Sequence, residues 1–160
     1  MKRTIVVRLG TCAATIMALA LVAGTATASA AAPVTKTFFF IQKPPATTKT
    51  LFNIDGLLVN ARCTASGSPV VYAFSSSTNA DLFGRVFDGL GRLHIIKDTS
   101  FVKGSGGDLL STTSGDFDAS GSILFETIAG KVVTVDYALD NSTTLFKKDL
   151  CTVFGSVTAT

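Results

Sequence analysis

Apolar and polar residues alternate over short stretches along most of the chain from residue 34 onward, and this period of two is typical of β-strands. The segment Leu57–Cys63 is a clear example, because Leu57, Val59, Ala61 and Cys63 fall on one face of a strand. About nine such stretches are predicted: Val34–Ile41, Thr47–Phe52, Leu57–Cys63, Val70–Ser75, Leu82–Phe87, Arg92–Lys97, Ser122–Ile128, Lys131–Leu139 and one that begins at Cys151. A sustained helical period occurs only near the N-terminus, so any other helix should be short.

Turn residues separate these stretches. Asp88–Gly91 is predicted as a tight turn, Ala129–Gly130 as a hairpin turn, and Gly104–Gly107 as a flexible loop. Regularly spaced short strands indicate an all-β, single-domain antiparallel β-sandwich over residues 31–160, with a closed β-barrel as the alternative. An immunoglobulin-type domain fits poorly because the chain contains no Trp.

The N-terminus has the organisation of a signal peptide. A basic segment, Met1–Arg8, precedes an apolar run, Leu9–Ala23, whose 15 residues are too few to span a bilayer. The small residues Ala28-Ser29-Ala30 then match a cleavage site, with Ala26-Thr27-Ala28 as the alternative. We therefore expect residues 1–30 to be removed and residues 31–160 to be secreted and extracellular, without a membrane anchor; a retained anchor helix is the competing hypothesis.

Two cysteines remain once the predicted signal peptide is removed. Cys63 and Cys151 both fall on the apolar side of their strands, 88 positions apart. An even pair in an exported chain predicts a disulfide bond. A metal site would need further Cys or His ligands, and the mature chain has only His94.

Charge and aromatic content narrow the class of protein. Of the 14 Lys and Arg residues, three precede the apolar run, which leaves 11 against 11 acidic residues. Such a neutral mature chain does not support nucleic-acid binding. The 12 Phe residues are expected to fill the core. Phe38–Phe40 predicts a central strand covered on both faces, or else an exposed Phe that marks a partner surface.

Candidate chemistry is sparse. No G-x-S-x-G motif occurs, and His94 is interpreted as a surface or half-buried strand residue, so no catalytic residue is predicted. The segment Asp116–Gly121 matches the start of a calcium loop, in which Asp116, Asp118 and Ser120 would supply the ligands. Position twelve of that loop is Thr127 rather than an acid, so a hairpin turn with side-chain caps is the alternative, and no other cofactor is expected.

Four segments resemble those of uncharacterised secreted β-rich proteins of actinobacteria: Ile54–Leu57 leading to Cys63, Asp116–Asp118, Lys131–Leu139 and Cys151–Gly155. This resemblance implies export and β-structure, and no activity. Taken together, the sequence predicts a secreted non-catalytic binding or structural module whose partner is a protein, a cell-wall component or a small apolar ligand. The alternative is a secreted hydrolase with an unrecognised site.

Overall fold

A computed structural model describes residues 32–88, 90–111, 118–140 and 150–160. The predicted signal peptide and Asp116 lie outside these ranges. All regular structure in the described part is β-strand, and it contains no helix long and apolar enough to cross a membrane. The strands are β1 (Val34–Gln42), β2 (Ala46–Ile54), β3 (Leu57–Cys63), β4 (Pro69–Ser75), β5 (Ala80–Phe87), β6 (Leu93–Asp98), β7 (Gly106–Ser111), β8 (Ala119–Thr127), β9 (Val132–Asp140) and β10 (Cys151–Ala159).

The strands form two antiparallel sheets, as predicted for a β-sandwich. The six-stranded sheet has the order β1-β10-β9-β8-β5-β6, and the four-stranded sheet has the order β2-β3-β4-β7. Neither sheet closes into a barrel within the described ranges. The segment between β1 and β2 includes Pro44 and Pro45. It connects an edge strand of the six-stranded sheet to an edge strand of the four-stranded sheet.

The core lies between the two sheets and follows the predicted alternation. Every second residue of β3 is buried, as are Val133, Val135, Tyr137 and Leu139 of β9. Cys63 and Cys151 are bonded, with their Cα atoms 5.8 Å apart, which confirms the predicted disulfide. Since β3 and β10 belong to different sheets, this bond ties the two layers of the sandwich together.

The strand β7 is absent from the sequence prediction, because Gly106 and Gly107 suggest a flexible loop. In the structure Gly106 lies opposite Phe74 of β4. A Cβ atom at Gly106 would collide with the Phe74 ring, so the absence of a side chain lets the ring pack across the neighbouring strand. This glycine belongs to a sheet rather than to a loop.

The first strand also differs from expectation. β1 is an edge strand of the six-stranded sheet and not a central strand covered on both faces. Phe38 and Phe40 face the core, with 9% and 1% of their surface exposed, whereas 56% of Phe39 is exposed. The alternative hypothesis for this segment, an exposed Phe at a partner surface, therefore becomes the relevant one.

Candidate binding surface

The outer face of the six-stranded sheet carries a row of aromatic side chains that the strand register brings together. Residues directly opposite one another in adjacent strands share a face of a sheet. The register places one residue from each strand in line, which we term the aromatic row: Phe39, Phe154, Ala138, Ser120, Phe87 and Leu93. Residues far apart in the chain thus become neighbours because of the strand order.

Small residues in the middle of this row create a trough. Phe154 and Phe87 are separated by Ala138 and Ser120, which corresponds to three strand spacings or about 14 Å. An open hollow of about 940 Å³ lies along this part of the sheet, with Phe39, Phe87 and Phe154 among its lining residues. A second hollow of about 490 Å³ adjoins it and shares Phe87, Ser120, Ala138 and Phe154.

The aromatic rings of this row are substantially exposed to solvent. The exposed fractions are 56% for Phe39, 48% for Phe87 and 45% for Phe154. The same outer face also carries other exposed apolar side chains, namely Leu93, Ile95 and Leu124. The expectation that the Phe residues fill the core is therefore only partly correct. A contiguous apolar patch of this kind is typical of an interaction surface.

A second row, which we term the charged row, runs beside the aromatic row. It comprises Thr37, Ser156, Asp136, Ser122, Arg85 and Ile95. Arg85 and Asp136 lie on either side of Ser122, two strand spacings or about 10 Å apart between their backbones. Neither has an ion-pair partner in the described ranges. The charged row therefore offers one cation and one anion to a partner.

A turn between β5 and β6 lies at one end of the surface. The carboxylate of Asp88 accepts hydrogen bonds from the backbone amides of Leu90 and Arg92 at 3.0 and 2.9 Å and from Nε of Arg92 at 2.6 Å. Nε2 of His94 lies 3.0 Å from the same carboxylate. The hydrogen bond to His94, followed by those from Arg92 and Leu90, holds the pKa of Asp88 well below its ordinary value.

This turn does not assemble a nucleophile. His94 is exposed and meets an acid, but no Ser or Thr hydroxyl bonds to it among the residues that the structure describes. Asp88 is occupied by the amides of its own turn, as expected for an Asp that begins a tight turn. The interpretation of His94 as a strand residue at the surface agrees with this geometry.

The predicted calcium loop is described only from Asp118 onward. Ser120 lies on the outer face within β8, opposite Phe87 and Ala138, and Asp118 lines the smaller hollow together with Asp88 and Asp140. The described residues contain no group of three or more His, Cys, Asp or Glu side chains that could hold a metal ion. Calcium binding stays a prediction, since Asp116 lies outside the described ranges.

Tyr137 lies behind the trough, on the inner face of β9. Its ring lies next to Gly121 of β8, where a Cβ atom would come within 2.5 Å of the phenol. The hydroxyl is buried and has no hydrogen-bond partner in the described part of the chain. Burial raises the pKa of Tyr137 above its ordinary value. Because Gly121 has no side chain, the Tyr137 ring can pack against β8 on the inner side of the sheet, directly behind the trough.

Comparison with protein-family models, with curated proteins and with solved structures gave no match. Sequence reasoning missed Phe87 and Phe154, although one signal was present: Phe154 falls on the opposite side of its strand from the apolar residues Cys151, Val153 and Val157. An aromatic residue on the outer side of a predicted strand could have been noted as a surface residue.

Proposed function

We propose that this chain is a non-catalytic extracellular binding module whose binding surface is the outer face of the six-stranded sheet. The observation that carries the proposal is the aromatic row, in which Phe39, Phe87 and Phe154 remain about half exposed. Leaving three such rings in water forgoes the favourable transfer of apolar area, a cost that a partner would recover on binding.

Export is part of the proposal. It is supported by the basic and apolar segments of residues 1–23, by the cleavage sequence that ends at Ala30, and by the resemblance to secreted actinobacterial proteins. The disulfide between Cys63 and Cys151 fits an oxidising compartment. We expect the secreted form to begin at Ala31, which N-terminal sequencing of protein from the culture medium would test; an intact Met1 form in the membrane fraction would contradict it.

Binding at the trough can be tested by photo-crosslinking in the native host. A benzophenone-bearing phenylalanine replaces Phe154, and in a matched control it replaces Phe74, an aromatic residue on the outer face of the four-stranded sheet with 37% of its surface exposed. We expect a specific adduct from position 154 and none from position 74. Equal yields from the two positions, or no adduct from position 154, would contradict the proposal.

The hydrolase alternative makes a different prediction. The contact of His94 with Asp88 is the only described feature that such an enzyme could use for proton transfer by an imidazole. A binding module should retain its crosslinking from position 154 when His94 is replaced by Ala. Turnover of ester, peptide or glycan substrates that disappears in His94→Ala, by about 100-fold or more, would instead establish the enzyme.

A further inference from the structure

We infer that the partner is a second copy of this chain, packed face to face through the same outer surface. This inference rests on the proposed function, because it names the occupant of that surface. The strands that carry the charged and aromatic rows are arranged symmetrically about β8. In the sheet order, β9 and β5 flank β8, and β10 and β6 lie one strand further out on either side.

The two charges of the charged row, Arg85 and Asp136, are placed to complement each other across a two-fold axis. An axis that runs along β8, in the gap between two facing sheets, places β5 of each copy over β9 of the other. Arg85 then meets Asp136 of the second copy, and Asp136 meets the second copy's Arg85. A self-complementary patch of this kind is what a two-fold dimer requires.

The aromatic row is complementary in size under the same operation. Phe87 of one copy lies over the small residue Ala138 of the other, so each trough receives a ring. Leu93 comes opposite Phe154, which joins two exposed apolar side chains. The residues on the axis are Ser120, Ser122 and Leu124 of β8, and each of these meets its own counterpart. Two opposed sheets with interdigitating side chains reproduce the packing inside a β-sandwich.

Charge also selects this arrangement over its main rival. A two-fold axis perpendicular to the strands, through Ser122, would place Arg85 on Arg85 and Asp136 on Asp136. Like charges in contact across an interface cost several kcal/mol, so that packing is disfavoured. Along β8, Glu126 lies on the axis and would face its own counterpart, so the contact must end before this acid.

The available area is sufficient for a weak, reversible contact. Five strands span about 20–24 Å across the sheet, and three rows of outward residues span about 20 Å along it. The projected face is thus about 400–500 Å², and its side chains raise the accessible area above this value. Both copies together would bury about 1,000 Å² or more, which reaches the lower range of specific interfaces.

Charge reversal tests the inference directly. Sedimentation equilibrium is measured on residues 31–160 purified with the disulfide intact, for wild type, Arg85→Asp, Asp136→Arg and the double variant. We expect a wild-type dimer at concentrations of about 10–100 μM, and a dimer dissociation constant about 100-fold weaker in either single variant. The double variant should recover the dimer, because both pairs are restored with opposite polarity.

Mixing the two single variants provides a second test. In a mixed dimer, the reversed charge at position 85 faces the reversed charge at position 136, and the two remaining native charges also face each other. Two variants that are monomeric alone should therefore form a heterodimer. Lys49→Asp, at an exposed residue of β2 in the other sheet, is the matched control and should leave the dimer unchanged. Circular dichroism and thermal unfolding verify that each variant is folded.

The outcomes separate this inference from the proposed function. A wild-type protein that is monomeric up to about 1 mM, or reversed charges that fail to rescue each other, would overturn the second copy as partner. In that case an adduct between position 154 and a different molecule would still support the proposed function, with a partner other than a second copy. Monomeric protein together with no adduct from position 154 would overturn both. An adduct of twice the chain mass, lost in Arg85→Asp, would support both.

Discussion

Adjacent phenylalanines in β1 provide a sharp test of the division between core and surface. Phe39 and Phe40 follow each other in the sequence, yet 56% of Phe39 is exposed and only 1% of Phe40 is exposed. We therefore expect Phe40→Ala and Phe39→Ala to have very different effects on the free energy of unfolding. The pair is well matched, because residue type, strand and distance from the chain end are the same.

The expected magnitudes follow from the burial. Removing a fully buried Phe side chain costs about 3–5 kcal/mol, through lost transfer free energy and the cavity left behind. Phe39 buries less than half of its surface in the free chain. Full burial of a Phe side chain is worth about 1.5–3 kcal/mol, so Phe39→Ala should cost about 1 kcal/mol or less in the isolated chain.

Guanidinium chloride unfolding, followed by far-UV circular dichroism at a protein concentration low enough to avoid self-association, measures both values. Equal costs for the two variants would refute the alternation of β1 on which the aromatic row depends. A cost below about 1 kcal/mol for Phe40→Ala would have the same consequence.

Three further predictions concern the rest of the fold. Replacing Cys63 and Cys151 together by Ala should destabilise the domain by about 4–5 kcal/mol in denaturant unfolding, since the bond closes a loop of 88 residues. Gly121→Ala should cost about 1–3 kcal/mol in the same assay, because its Cβ would press on the buried ring of Tyr137. The carboxyl of Asp88 has a lowered pKa, so its stabilising effect is present above the ordinary value of 3.8 and is lost as pH falls below it. The difference in Tm between wild type and Asp88→Asn should therefore shrink in acid.

A cysteine-free variant as stable as the wild type would show that the bond contributes little to the folded state. If Gly121→Ala does not lower the free energy of unfolding, the Tyr137 ring must be able to move away from the new Cβ atom at no cost. A Tm difference for Asp88→Asn that grows in acid would contradict the hydrogen bonds that stabilise the charged carboxylate.

Nine of the ten strands in the described ranges were predictable because their alternation is local. Leu57–Cys63 has the same bounds in the sequence prediction and in the structure. β7 was missed because a glycine pair has no apolar pattern, and only the approach of the Phe74 ring explains Gly106. The reason for that glycine lies in another strand, which a local pattern does not contain.

The candidate site could not be predicted in the same way. Phe39, Phe87 and Phe154 are separated by long stretches of chain, and they align only through the order β1-β10-β9-β8-β5. Strand order depends on contacts between distant residues rather than on local periodicity. The abundance of Phe suggested a core, whereas the register shows that several rings face outward. The neutral net charge likewise gave no sign that Arg85 and Asp136 lie in one row of this face.

The most direct measurement of the central claim is hydroxyl-radical footprinting of Phe39, Phe87 and Phe154, with Phe74 as the internal control. The free chain at high dilution should be oxidised readily at all four rings, in keeping with their exposure. At high protein concentration, or in the native culture fluid, Phe87 and Phe154 should become protected several-fold while Phe74 does not; Phe39, on the strand outside the five-strand contact, should be protected less. Oxidation of those three rings that stays unchanged under every condition would contradict the claim that this face binds a partner.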